Sequence, residues 1–108
     1  MKHNILDIGG DIVKDNEVYI LKDNKFLKNL VLSSTQLHPH QITRGHKHQG
    51  QEEVYYFVKG DGVMWLDDKE IEVGVGDVVL IEDGVHHRVK AGMEGCYFVC
   101  VFDGRRNH

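Results

Sequence analysis

The stretch Arg44-Gly45-His46-Lys47-His48-Gln49-Gly50-Gln51-Glu52-Glu53-Val54-Tyr55-Tyr56-Phe57-Val58 decides how this chain is read. Histidines two positions apart point to one face of a β-strand, because strand side chains alternate with period two. Gln49-Gly50-Gln51 looks like a turn. The run from 53 to 58 is rich in β-branched and aromatic residues and reads as the next strand. A further histidine, His87, follows the apolar run Val78-Val79-Leu80-Ile81 and the turn Glu82-Asp83-Gly84. Three imidazoles and one carboxylate suit one divalent transition metal (Fe, Mn, Ni, Co or Zn) and leave room for waters or a substrate. His46, His48, Glu53 and His87 are therefore the candidate ligands. The alternative is a barrel that keeps these residues without a metal. His86, one position before a ligand, is expected to point away. His3, His38 and His40 read as ordinary surface or hydrogen-bonded residues.

Working outward, the chain reads as short strands separated by turn residues. Strands are expected over residues 17–21, 42–48, 53–58, 63–66, 70–75, 78–81, 87–90 and 96–102, and residues 26–37 contain the apolar stretch Leu30-Val31-Leu32. Turns are expected at Asp23-Asn24, at 59–62 and at 67–69. A loop is expected at 38–41, where Pro39 forces an extended predecessor. No segment sustains a helical period. The expected fold class is all-β, an antiparallel barrel or jelly roll. Residues 1–25 read as an N-terminal arm with a short strand, and 26–108 as the barrel.

Parity then orients the site. Arg44 shares a face with His46 and His48, and Tyr55 and Phe57 share one with Glu53. If the ligands face the interior, so does Arg44. A guanidinium there needs an anionic partner, unless it sits at the barrel mouth and reaches solvent. Val54, Tyr56 and Val58 fall on the outer face, where the arm or a second subunit would cover them. Met64 and Trp65 read as packing residues.

Composition narrows the function classes. A chain of 108 residues forms one domain. Twelve glycines and one proline favour tight turns between strands. A net charge of −4 argues against a general nucleic-acid binder. No apolar run approaches the roughly 20 residues of a membrane span, and the first residues are too polar for a secretory signal. A cytoplasmic protein is expected. Cys96 and Cys100 would lie about 13 Å apart on one strand, too far for a disulfide, so both are expected as buried thiols.

The paired motifs resemble the cupin family. In its first motif, His-x-His is followed after three or four residues by Glu and after six more by Gly. His46, His48, Glu53 and Gly60 match it. In its second motif, Gly76, Gly84 and His87 match, with Glu82 where Pro is usual. His40 replaces a Gly, and Ala91 replaces an Asn that often closes the second motif. The resemblance implies a single-domain cupin jelly-roll barrel, one divalent metal on the four ligands, a small-molecule ligand and a homodimer.

Locally, Thr43-Arg44-Gly45-His46-Lys47-His48 and Glu53-Val54-Tyr55 are similar to the cupin-type glucose-6-phosphate isomerases. The ending Phe102 to His108 also resembles theirs. That likeness implies Glu53 and Tyr55 as catalytic residues and Thr43, Arg44, Gly45 and His108 as substrate contacts. Ser34 and Thr35 are possible substitutes for a missing phosphate loop. The isomerases have longer chains, a longer His-to-Glu loop and Tyr where this chain has Phe102. An Fe(II)-dependent dioxygenase and a non-catalytic small-molecule binder remain the alternative readings, because one fold carries many chemistries.

Overall fold

From Glu53 onward the alternation in sequence becomes an alternation in burial. Glu53, Tyr55 and Phe57 are buried, while Val54 and Tyr56 are exposed. The computed structural model describes residues 1–47 and 49–104. These form seven strands: β1 (Asp11–Asp15), β2 (Tyr19–Asn24), β3 (Leu30–Leu37), β4 (Glu53–Leu66), β5 (Lys69–Gly74), β6 (Val78–Ile81) and β7 (His87–Asp103). All pairings are antiparallel, in the order β1-β2-β3-β7-β4-β5, with β6 also on β4. Among the described residues no helix is long and apolar enough to cross a membrane.

The two long strands make this a jelly-roll barrel. The first part of β4 pairs with β6 and with the end of β7, whereas its second part pairs with β5 and with the start of β7. Each long strand therefore serves both walls, and bulges at 57–59 and 60–62 turn the corner. This corrects the turn expected at 59–62 and the break expected between 90 and 96. Gly60 has φ +74°, and a Cβ there would run into the backbone carbonyl of Gly95. The glycine permits a close strand crossing rather than a hairpin.

Two further expectations change. The strand expected over 42–48 is not regular over its described residues, 42–47. In place of a ladder, isolated bridges from Ile42 to Lys90 and from His46 to His87 join it to β7. Gly45, at φ +85°, interrupts the extended backbone between them. Asp23 and Asn24 do not turn; they end β2, and buried Asn24 Nδ2 donates to the carbonyls of Ile8 (3.1 Å) and Gly9 (3.3 Å). The first 25 residues supply two strands that extend the sheet through β3.

Between the walls lie Phe57, Phe98, Leu37, Met64 and Val89, all buried. Phe98 stacks on Tyr55 with centroids 5.0 Å apart and meets Phe57 at 5.2 Å. Cys96 and Cys100 are buried free thiols on β7. Outside, Ile8 joins Tyr97 and Val99 in a second cluster that takes in Val58. Tyr97 Oη donates to the Ile5 carbonyl at 3.0 Å, which fastens the N-terminal segment to the sheet. The arm thus covers part of the outer face. Val54, Tyr56, Val78, Leu80 and Val101 stay exposed beside it.

Candidate metal centre and its cavity

Glu53 opens β4 and His87 opens β7, and the bridge from His46 to His87 brings a third donor beside them. Glu53 Oε1 lies 3.4 Å from His46 Nε2 and 3.3 Å from His87 Nε2. One donor atom from each residue falls within 4.8 Å of the others, a spacing that can hold a metal ion. The two rings meet edge to face with centroids 4.2 Å apart. His87 and Glu53 are buried, whereas the His46 side chain is 46% exposed.

His87 is preset for ligation. Its Nδ1 lies 3.0 Å from the Val85 carbonyl, so Nδ1 carries a proton; Nε2 faces Glu53, donates to the carboxylate while the ring is protonated, and would offer its lone pair to a metal once that proton leaves. Burial raises the Glu53 pKa, but hydrogen bonds from His46 and His87 and their charge outweigh it and hold the carboxyl at about 2. Burial lowers the His87 pKa, yet the hydrogen bond to Glu53 and the Val85 carbonyl raise it above its ordinary 6.5. An ionised carboxylate beside a buried, oriented imidazole fits a borderline divalent cation.

These shifts set a pH window for the metal-free protein. Glu53 contributes stability that is present above its ordinary 4.5 and fades as pH falls toward about 2. His87 contributes stability that is present below 6.5 and is lost as pH rises through its raised folded value. The pair therefore favours the metal-free fold most between pH 4.5 and 6.5. Thermal melting of chelator-treated protein across pH checks this, and Glu53→Gln is expected to flatten the profile.

A cavity of about 360 Å³ opens beside the cluster. Thr43, Arg44, Gly45, His46, Glu53 and Tyr55, the residues singled out from sequence, all line it. His48 and His108 lie outside the described residues. Arg44 is exposed at the cavity and reaches solvent, the second of the two positions expected for it, so burial forces no anionic partner on it. Thr43 is held to β7: its Oγ1 accepts from Val89 N at 3.0 Å and its own N–H donates to Val89 O at 2.9 Å. His86 approaches Gly45, where a Cβ would come within 2.8 Å of its ring. Tyr55 is buried beside Cys100, its register partner on β7. Burial, Cys100 and Glu53 together push its pKa well above the usual 10, so it acts as a neutral hydroxyl.

Sequence reasoning missed part of the wall. Tyr19, Asp23, Ser33, Gln51, Cys100 and Phe102 also line the cavity. Thr35 faces it, while Ser34 borders a separate hollow on the outer surface. Strand parity of β3 could have made that division once β3 was known to cross the barrel. Gln51, read as part of a turn, is buried at 3% exposure.

The match to known proteins follows the same architecture. The Cupin domain family matches residues 34–102, well over half the chain. The chain belongs to the cupin family. A 45-residue stretch of this cupin is 40% identical to the uncharacterized protein MJ1618 of Methanocaldococcus jannaschii, covering 42% of this chain and 36% of that protein. A stretch of the same length is 36% identical to the oxalate-binding protein of Thermotoga maritima, covering 42% of this chain and 37% of that one. The matches thus span little more than a third of either relative. The structure of KdgF from Halomonas sp. superposes with a TM-score of 0.79 at 16% identity, over 90% of this cupin and 88% of KdgF. At that identity the likeness concerns the fold.

Proposed function

We propose that this cupin binds one divalent transition metal through His46, Glu53 and His87, with His48 as fourth ligand, and uses it to hold a small organic anion. The observation that carries the reading is the preset donor triad beside a cavity with Arg44 on its wall. When bound, the metal would act as a Lewis acid on a ligand oxygen. Arg44 offers a two-pronged hydrogen-bond fork to a carboxylate or phosphate. Glu53, buried and ionised with its carboxyl held at about 2, serves as the anionic ligand, and the neutral Tyr55 hydroxyl stands beside it.

The oxalate-binding relative supports a carboxylate as the anion. Arg44, Glu53 and Tyr55 on one cavity support the finer reading of a sugar-phosphate isomerase. Three histidines and a carboxylate also suit ferrous iron in a dioxygenase. Thermal shift of the metal-loaded protein with oxalate, sugar phosphates and keto acids tests the common part, because a ligand of the folded state raises its stability. Aldose–ketose interconversion would single out the isomerase, and O₂ uptake with substrate the oxygenase. Stabilisation by none of these anions would sink the proposal.

Arg44→Ala is expected to weaken the anion by about 1.5 kcal/mol, the low end for a charged hydrogen bond because Arg44 stands in solvent. Metal content should not change, and Lys47→Ala should have much less effect. Calorimetric titration of both variants decides this.

A second copy of the chain is proposed to cover Val54, Tyr56, Val78, Leu80 and Val101, an exposed apolar strip on adjoining strands. Light scattering at micromolar concentration is expected to give the mass of a dimer. A monomer mass would show that the N-terminal segment is cover enough. The same proposal places the protein in the cytoplasm, in keeping with its two free thiols.

A further inference from the structure

The cavity extends well past the metal donors. Asp23 on β2 pairs in register with Ser33 on β3, Ser33 with Cys100 on β7, and Cys100 with Tyr55 on β4. All four side chains line the cavity. A row of polar groups therefore runs across four neighbouring strands, roughly 14 Å along the curved sheet at ~4.8 Å per strand. Thr35 stands one inward position further along β3. Ser33, Thr35 and Gln51 are all more than nine-tenths buried.

Gln51 is the most telling. Its Nε2 donates to the Asp103 carbonyl at 2.9 Å, which fixes the orientation of the amide. Its Oε1 is buried and has no hydrogen-bond partner among the described residues. A buried acceptor left without a donor is unfavourable by about 1–3 kcal/mol, so a donor reaching it from the cavity that Gln51 lines would relieve it. Asp23 also only accepts when ionised, and the hydroxyls of Ser33 and Thr35 do both.

From this wall we infer that the cavity contains a hydroxyl-reading subsite formed by Asp23, Ser33, Thr35 and Gln51, and that the anion is a polyhydroxylated carboxylate of the sugar-acid class. The inference rests on the metal-and-anion reading above and narrows it. The metal and Arg44 want acceptors, while Asp23 and Gln51 want donors. A single ammonium would satisfy Asp23 alone, whereas polar groups on β2, on β3 and before β4 match several hydroxyls. Size agrees. At about 30 Å³ per water, a cavity of about 360 Å³ has room for roughly twelve waters. Oxalate, with six heavy atoms and no donor as the dianion, would leave the far wall to solvent.

The test is calorimetric titration of the Mn²⁺-loaded 108-residue chain with D-gluconate, hexanoate and 6-aminohexanoate, three six-carbon carboxylates. Gluconate is expected to bind at least tenfold more tightly than hexanoate. Ser33→Ala and Gln51→Leu are each expected to cut that preference at least fivefold, with Mn²⁺ affinity and hexanoate affinity unchanged. Ser33→Ala removes one oxygen, so it keeps the test valid if Gln51→Leu fails to fold. Equal affinity for gluconate and hexanoate overturns the subsite, as does a preference that survives both substitutions. Tighter binding of 6-aminohexanoate than gluconate overturns the hydroxyl class. If no carboxylate binds, sorbitol separates the two ideas. Sorbitol binding that Ser33→Ala abolishes keeps the subsite and removes the anion reading, and absence of sorbitol binding overturns the subsite too.

Discussion

Glu53→Gln is expected to weaken Mn²⁺ or Zn²⁺ binding by at least about 100-fold, the upper end of what loss of an outer-shell partner alone produces. The carboxylate is the one anionic donor of the triad, and its Oε1 faces both His46 and His87 at 3.3–3.4 Å. A glutamine keeps the size but gives up the charge that offsets a divalent cation. Loss of the ionic partner also returns His87 toward the neutral form that burial prefers, which is the form a metal binds, so the weakening comes from the missing charge and ligand oxygen. Circular dichroism of the variant should match the wild type, because the strand pairings of β4 do not involve the side chain. Metal affinity equal to wild type in a folded Glu53→Gln protein would remove Glu53 from the ligand set.

Phe98→Ala is expected to lower stability by about 3–5 kcal/mol, the range for truncating a buried aromatic. Phe98 is 2% exposed and touches both Tyr55 and Phe57, so it joins β7 to β4 across the interior. Against a typical domain stability of about 5–15 kcal/mol, such a loss brings the fold near its threshold. The void would undercut the ring stack that holds Tyr55 beside His87, whose centroids are 5.6 Å apart. Weaker ligand binding should therefore accompany the lower urea midpoint. Val75→Ala, at an exposed site outside the proposed dimer strip, should stay within about 0.5 kcal/mol of wild type. A loss under about 1 kcal/mol for Phe98→Ala would contradict the interior described above.

The legible part of this chain is what depends on near neighbours. The 53–58 alternation showed which side chains face inward, and structure places Glu53, Tyr55 and Phe57 there. The donor triad was legible because residue type and spacing are chemical constraints on a metal site. Glycines misled the reading. Gly60 at positive φ is compatible with a turn or with a bulge, and only the approach of Gly95, 35 residues on, selects the bulge. Gly45 broke the parity that would have buried Arg44. The far wall of the cavity was illegible for the same reason. Gln51 is buried through Asp103, 52 residues away, and Asp23 and Ser33 face the site only because β2 and β3 extend the sheet from β7. A polar residue flanked by turn-like neighbours gives no local sign of that burial.

The central claim is a divalent metal held by His46, Glu53 and His87 together with His48. Its most direct test is calorimetric titration of the chelator-stripped wild-type protein with Mn²⁺, Fe²⁺, Co²⁺, Ni²⁺ and Zn²⁺ in turn. The account predicts saturable binding of at least one of them at one ion per chain, lost in Glu53→Gln. Absence of saturable binding by all five, in protein that melts cooperatively, would contradict it.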